Sequence, residues 1–300
     1  MTELLQHLIN GLSLGAVYAL VALGYTMVYG VLQLINFAHA EVFMLGSFAG
    51  FYATRFIPKF REEPRFLLIL LVAMVVCALL GLIIERVAYR PLRDKPRLNA
   101  LITAIGVSMF IQAVGQLPWF MGPSPQFFPS LIPNVPLVAI AGVSLTSLQA
   151  VTFGSTVALM FGLHRLIFHS KMGAAMRAVS FDGRTASLMG INPDFVVGFT
   201  FALGSALAAA AGILVGLGYP RIEPTMGVML GLKAFVAAVL GGIGNIRGAM
   251  VGGIVIGLTE ALVVGYGASS YRDAVAFGIL ILILVFKPAG LFGRMAAEKV

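Results

Sequence analysis

The chain has 300 residues, of which 59% are hydrophobic and 11% charged, with a formal net charge of +8. A soluble domain carries about 25% charged residues, so most of this surface must meet lipid, and a water-soluble globular fold is excluded. The basic residues fall in short runs between apolar stretches, the pattern by which a multispanning protein records its orientation, not that of a nucleic-acid binder.

Crossing roughly 30 Å of hydrocarbon takes about 20 mostly apolar helical residues. No Lys or Arg precedes Arg55, so the N-terminus lacks the basic region of a cleaved signal peptide, and the first apolar stretch is expected to be retained as a span. Residues 4–40 hold no formal charge and a further apolar run reaches Thr54. Polar residues at 33–39 predict a break between two helices. The span at 66–84 ends in Arg86, Arg90, Arg93, Lys95 and Arg97, and contains Cys77, the single cysteine, read as a small buried core residue. The longest uncharged stretch, 98–164, carries Pro118, Pro123, Pro125, Pro129, Pro133 and Pro136 at its centre. A continuous helix cannot hold them, so we read a helix to about Leu117, an irregular loop, and a second helix from about Ser144 to Phe168. A polar segment follows at 170–192, then an apolar helix at 195–218, a short loop around Arg221 and Glu223, and a glycine-rich region at 227–267. A last span at 274–286 leads to a basic tail.

The sum is an all-α integral membrane protein, one transmembrane domain over 1–300, with about eight or nine spans. The breaks at 33–39 and 241–248 are candidates for broken or re-entrant helices, because irregular backbone at membrane depth is tolerated where protein or a water-filled cavity satisfies it. A tight turn between complete helices is the alternative at 241–248.

Loop charge sets the orientation. The loop at 86–97 carries five basic residues against Asp94, and 170–192 carries Lys171, Arg177 and Arg184 against Asp182, whereas the proline-rich loop is uncharged. The positive-inside rule puts both basic loops in the cytoplasm and the proline loop outside. Arg55, Lys59, Arg61 and Arg65, offset by Glu62 and Glu63, go against this rule, since parity places them outside.

Small residues at four-residue spacing, Gly204, Ala208, Gly212 and Gly216, make a smooth helix face for close packing, and Gly244, Gly248 and Gly252 repeat the device. Glu41, Lys233 and Glu260 interrupt apolar sequence. Each costs at least about 2.5–3.5 kcal/mol near mid-membrane, so they are expected to face the bundle interior, either lining a pathway or forming structural ion pairs, with Glu41 and Lys233 a candidate pair. Asn36 and His39 lie at the first break, and His39 with Glu41 is a possible acid/base couple. The segment 170–192 is longer than a turn requires and mixes Met176, Val179, Leu188 and Met189 with charge. This predicts a short amphipathic helix that needs a partner. There is no G-x-x-x-x-G-K-[ST] phosphate loop, no H-E-x-x-H and no G-x-S-x-G, and the four histidines lack a metal-binding arrangement beyond His164 and His169 at i, i+5.

GLSLGAVYALVALGYTMVYGVLQLINFAHAEVFMLGSF, IERVAYRPLR, the 170–192 segment and LKAFVAAVLGGIGNIRGAMVGG resemble, in this order, the permease subunits of bacterial branched-chain amino acid ABC importers, of the Liv-type H class. The chain departs from that pattern at Ala40, where the family usually has glycine, and at 245–248, where it reads Asn-Ile-Arg-Gly. The resemblance implies a multi-pass protein of the bacterial inner membrane, surrounded by lipid. It also implies a second homologous permease subunit, two cytoplasmic ATPase subunits that bind ATP and Mg, and a periplasmic substrate-binding protein, with no cofactor in this chain. It matches Gly173, Arg177, Ala178, Asp182, Ala186, Gly190 and Ile191 to the loop that docks on the ATPase. It implies leucine, isoleucine and valine as substrates, or related small polar solutes such as the urea, amides or other amino acids that relatives carry, moved by alternating access. An ion-coupled carrier using Glu41 or Glu260, and a membrane-embedded enzyme using His39 and Glu41, are the rival readings.

Overall fold

The computed structural model describes residues 2–58, 62–93, 95–140 and 142–293. Among them, seven helices are long and apolar enough to cross a membrane. In chain order the helices are α1 (Thr2–Leu32), α2 (His39–Phe56), α3 (Glu62–Ile84), α4 (Arg97–Gly115), α5 (Ser147–His169), α6 (Lys171–Phe181), α7 (Gly183–Leu188), α8 (Pro193–Gly218), α9 (Met226–Gly241), α10 (Ile246–Gly265) and α11 (Arg272–Phe286). The apolar α9, of 16 residues, and α2, of 18 residues, complete the bundle beside those long helices. The all-α polytopic architecture read from the sequence is therefore the one observed. Four short strands are added at the proline-rich end, β1 (Gln126–Phe127), β2 (Pro136–Ile140), β3 (Val143–Thr146) and β4 (Arg221–Ile222). β1 pairs with β4 and β2 with β3, both antiparallel.

The core sits where α1 and α8 cross α2, α3, α9 and α10. Residues 15–28 of α1 and most of α8 are buried, and the small residues explain how backbones come so close. A Cβ on Gly212 would strike the backbone of Phe43 and Ser47, and Ser47 Oγ donates to the Gly212 carbonyl at 2.7 Å. Gly204 lies against Gly24, and Gly216 against the Phe128 ring. On the next pair of helices, Gly241 meets Gly248, and Gly252 meets the Ala237 carbonyl. Gly204, Gly212, Gly248 and Gly252 thus mark helix crossings, whereas Gly216 packs on the loop residue Phe128 and Gly244 lies in the turn before α10. By contrast, α3, α4, α5 and α11 present long exposed apolar faces, including Leu71, Val75, Leu79, Ile102, Phe110, Phe161 and Ile281. That is the surface a bilayer or a second transmembrane subunit covers.

The bundle has two chemically distinct ends. Arg93 bridges Glu85 and Asp194, and Arg90 also pairs with Asp194, so the loop after α3 and the start of α8 share one end. Arg247, at the start of α10, and Arg177 of α6 both lie over the Phe168 ring at this end. The opposite end collects β1 to β4, the N-terminus of α1, where Gln6 hydrogen bonds to the Ser144 backbone, and the contact of His7 with Tyr266. Arg55 and Arg65 belong to that proline-rich end, since Tyr52 donates to the Phe120 carbonyl and Arg65 to the Thr54 carbonyl. Lys59 and Arg61 lie outside the described residues, as do Asp94 and 294–300.

Both expected breaks are present. After α1, Gln33 takes a positive φ of 54° and the chain runs irregularly to α2. At 241–248 the chain makes a four-residue turn of an antiparallel hairpin, with Gly242 and Gly244 at φ 100° and 92°, conformations that favour glycine. The Asn245 side chain caps α10 by accepting from Gly248 N at 3.1 Å, and it donates to the Phe292 carbonyl at 2.9 Å. The helix expected to reach Leu117 ends at Gly115, ahead of Pro118. The following helix starts at Ser147 instead of Ser144, because residues 143–146 form β3 and Thr146 and Gln149 make a reciprocal cap.

Candidate functional site

Three groups of polar residues lie within or beside the bundle. The first joins α1, α9, α10 and α11. Lys233 Nζ donates to Glu260 Oε1 at 2.9 Å and lies 2.6 Å from Asp273 Oδ1. Tyr18 Oη donates to Glu260 Oε2 at 2.7 Å, and Arg272 Nε stands 3.7 Å from Glu260 and 3.5 Å from Asp273. Tyr18, Lys233 and Glu260 are buried. The pairing of Glu41 with Lys233 expected from sequence is therefore wrong. Lys233 sits two turns into α9, facing α10, where Glu260 and the first turn of α11 supply its counter-charges.

The second group surrounds the first break. Glu41, in the first turn of α2, accepts from Gln112 Nε2 at 2.8 Å and Ser108 Oγ at 3.2 Å, while its other oxygen has no hydrogen-bond partner among the described residues. That oxygen abuts Gly227 at the start of α9. A carboxylate near the N-termini of two helices gains from both dipoles, which is how this buried group is accommodated without a cation. His39 turns elsewhere: its ring packs edge-on against Tyr25, with centroids 4.8 Å apart, and presses on Gly24, where any side chain would collide. The acid/base couple of His39 and Glu41 is thus not assembled. Asn36 accepts from Tyr89 Oη at 2.8 Å. Tyr89 is placed by a π-helical turn, Glu85–Tyr89, that extends α3, a feature often found at functional positions. Ala40 puts its Cβ against Gly231, so the first turn of α2 is pressed onto α9.

The third group is the 170–192 segment. The expected amphipathic helix is observed as two, α6 and α7. Ser170 caps α6, accepting from Gly173 N at 3.0 Å. Asp182 caps α7, accepting from Arg184 N at 2.9 Å, Thr185 N at 3.2 Å and Thr185 Oγ1 at 2.6 Å. These bonds, chiefly those from Thr185, hold the exposed Asp182 carboxyl below its usual range. Gly190, at φ 82°, closes α7. Gly173 is pressed against the Ile167 carbonyl, and Met176, Val179 and Ala186 are buried, with Ala178 and Ile191 half-buried. Arg177 donates to the Ile167 carbonyl and lies over Phe168, tying α6 to α5. Most of the matched loop residues therefore hold the segment to its own bundle. Its free side shows Phe181, Leu188 and Met189, at 94%, 88% and 79% exposure. Phe181 was missed in the sequence; three apolar residues so exposed, flanking a helix cap, are the signal a contact surface leaves.

Among the described residues no cluster of three His, Cys, Asp or Glu has metal-binding proximity. A cavity of about 800 Å³ lies at the proline-rich end between α1, α5, α8 and α10, with Glu260 and Arg272 in its wall.

A family model described as branched-chain amino acid transport system / permease component matches residues 7–284. The chain is 45% identical to the high-affinity branched-chain amino acid transport system permease protein LivH of Escherichia coli K12, over 99% of this chain and 97% of that one. LivH of Salmonella typhimurium matches with the same identity and coverage. The corresponding protein BraD of Pseudomonas aeruginosa is 43% identical, over 99% and 98%.

Proposed function

The chain belongs to the family of branched-chain amino acid transport system permease components, a multi-pass inner-membrane family, and from this we infer that it forms one half of the transmembrane channel of an ATP-binding-cassette importer for leucine, isoleucine and valine. The positive-inside rule puts the end bearing Arg90, Arg93, Arg177 and Arg247 in the cytoplasm. The chain carries no phosphate-loop sequence, so ATP and Mg are handled by two separate ATPase subunits. A second homologous permease completes the channel, and an extracytoplasmic binding protein delivers substrate at the proline-rich end.

The observation that carries this reading is the two-sidedness of the 170–192 segment. Its inner side is locked onto α5 through Gly173 and Arg177, while Phe181, Leu188 and Met189 are exposed at the basic end. A rigid unit with a free apolar edge suits docking into a groove on an ATPase, and closure of the ATPase pair then pushes on the helices to which the unit is fixed. The test is Phe181→Ser with Leu188→Ser, followed by co-purification with the ATPase and leucine uptake in proteoliposomes. Loss of both supports the reading; undiminished association and uptake removes the segment from the mechanism. Arg177→Glu instead tests the tie to α5.

A further inference from the structure

We propose that the cavity at the proline-rich end is a subsite for a zwitterionic aliphatic amino acid, with Glu260 facing its ammonium group and Arg272 its carboxylate. This rests on the importer reading and places the substrate within this chain. The cavity, about 800 Å³, is within the range of small-molecule sites and holds an aliphatic amino acid together with water.

The charges in and behind its wall set the ligand class. A carboxylate has about four acceptor positions. Glu260 uses one oxygen for Tyr18 and the other for Lys233, so it retains capacity on the side that faces the cavity. Arg272, about half exposed, approaches the cluster through Nε at 3.5 and 3.7 Å, too long for good hydrogen bonds. Its guanidinium therefore has donors to offer. Lys233, Arg272, Glu260 and Asp273 balance as two positive and two negative charges. A simple anion or cation would leave a net charge beside the buried Lys233–Glu260 pair, at the cost that attends an unpaired charge, whereas a zwitterion leaves the group neutral.

The rest of the wall fits the remaining chemistry. Leu14 and Val17 of α1 face Leu214 and Val215 of α8, an apolar patch for a branched side chain. Ser13, Thr152 and the hydrogen-bonded pair Asn10 and Gln149 (2.8 Å) supply neutral polar contacts near the mouth. Every one of these residues lies at the end where the binding protein would release its cargo.

Single-cysteine protection tests the site without relying on transport. Cys77 is fully buried, so Thr152→Cys in the permease–ATPase complex, without binding protein or ATP, gives one reactive position in the cavity wall. Phe181→Cys serves as a control at the other end. Leucine at about ten times its dissociation constant is expected to slow methanethiosulfonate labelling of Thr152→Cys about tenfold by occupancy, with Phe181→Cys unchanged. Isoamylamine and isocaproate, which lack the carboxylate and the ammonium respectively, are expected to leave the rate unchanged. Labelling that ignores leucine overturns the subsite, and protection by either analogue as strong as by leucine overturns the zwitterion assignment. If protection is absent while the wild-type complex still imports leucine with ATP and binding protein, the importer reading stands and the subsite alone fails. A wild-type complex that imports no leucine defeats the importer reading itself.

Discussion

Lys233 is the centre of the buried ionic group, and its removal gives the sharpest test of the pairing. Lys233→Met strips Glu260 Oε1 of its donor at 2.9 Å and Asp273 of its contact at 2.6 Å, leaving Tyr18 on one Glu260 oxygen and Arg272 at 3.7 Å. Breaking one partner of a buried ion pair costs about 3–5 kcal/mol. Glu260→Gln is milder: the amide oxygen still accepts one bond and Lys233 keeps Asp273, so about 1–3 kcal/mol is expected, the cost of one unsatisfied buried group. The double variant should fall short of the sum by about 0.5–3 kcal/mol, the range for residues in contact. The assay is SDS-titration unfolding of the purified chain in mixed micelles, run as a double-mutant cycle. Glu41→Gln with Lys233→Met is the control cycle, and its effects should add to within about 0.5 kcal/mol. A coupling near zero between Lys233 and Glu260, or a substantial one between Lys233 and Glu41, refutes the geometry.

Other expectations follow from single contacts. Gly248→Ala drives a Cβ into the Gly241 backbone and should cost about 1–3 kcal/mol by overpacking, whereas Gly154→Ala, which meets nothing within 4 Å, should be neutral or stabilising by about 0.4–1 kcal/mol in the same unfolding assay. Tyr89→Phe leaves Asn36 Oδ1 without its donor in a buried setting and should cost about 1–3 kcal/mol. The Asp182 carboxyl is held below its usual range in the folded segment, so the α7 cap is fully present above the ordinary aspartate range and is lost as pH falls through the lowered value. Protection of the Arg184 and Thr185 amides from hydrogen exchange, relative to their intrinsic rates, should fall only at that acid limit, and Asp182→Ala should show the low protection at neutral pH. Unchanged exchange in that variant would mean the cap does not hold α7.

The helices were legible because their signals are local: runs of apolar residues long enough to span, prolines that stop them, and basic clusters that mark one end. Pairing across the bundle was not. Glu41 and Lys233 were two of the three charges that interrupt apolar sequence, but which helices face one another depends on where small residues let backbones meet. It is Gly241 against Gly248 and Gly252 against Ala237 that bring α9 to α10, and so Lys233 to Glu260. The docking segment was legible as a segment, yet the roles of its residues inverted. Matched positions such as Gly173 and Ala186 are buried, because holding the unit rigid requires close contact, while the free edge at Phe181 follows from the cap that turns the chain at Asp182.

Of the helices that run between the two ends of the bundle, α1 lines a gap at each. α1 is a continuous helix of 31 residues, about 46 Å long at 1.5 Å per residue. Thr26, Met27, Gly30 and Val31 near its basic end line a gap of about 100 Å³ with Met176, Arg177 and Ser180 of α6 and with Gly244 of the α9–α10 turn. Its other end supplies Asn10, Ser13, Leu14 and Val17 to the large cavity, and Tyr18 to Glu260. A push on α6 therefore needs no chain of side-chain rearrangements to reach the proline-rich end. Tilting a single stiff rod changes both places together, provided the glycines along it keep the crossing smooth: Gly11 and Gly15 lie on the α10 backbone and leave no room for a Cβ. Gly15→Ala, remote from the docking edge, should uncouple ATP hydrolysis from leucine uptake in the reconstituted importer while the ATPase still co-purifies. Coupling as tight as in the wild type would show that α1 does not move against α10, and that the stroke travels by another route.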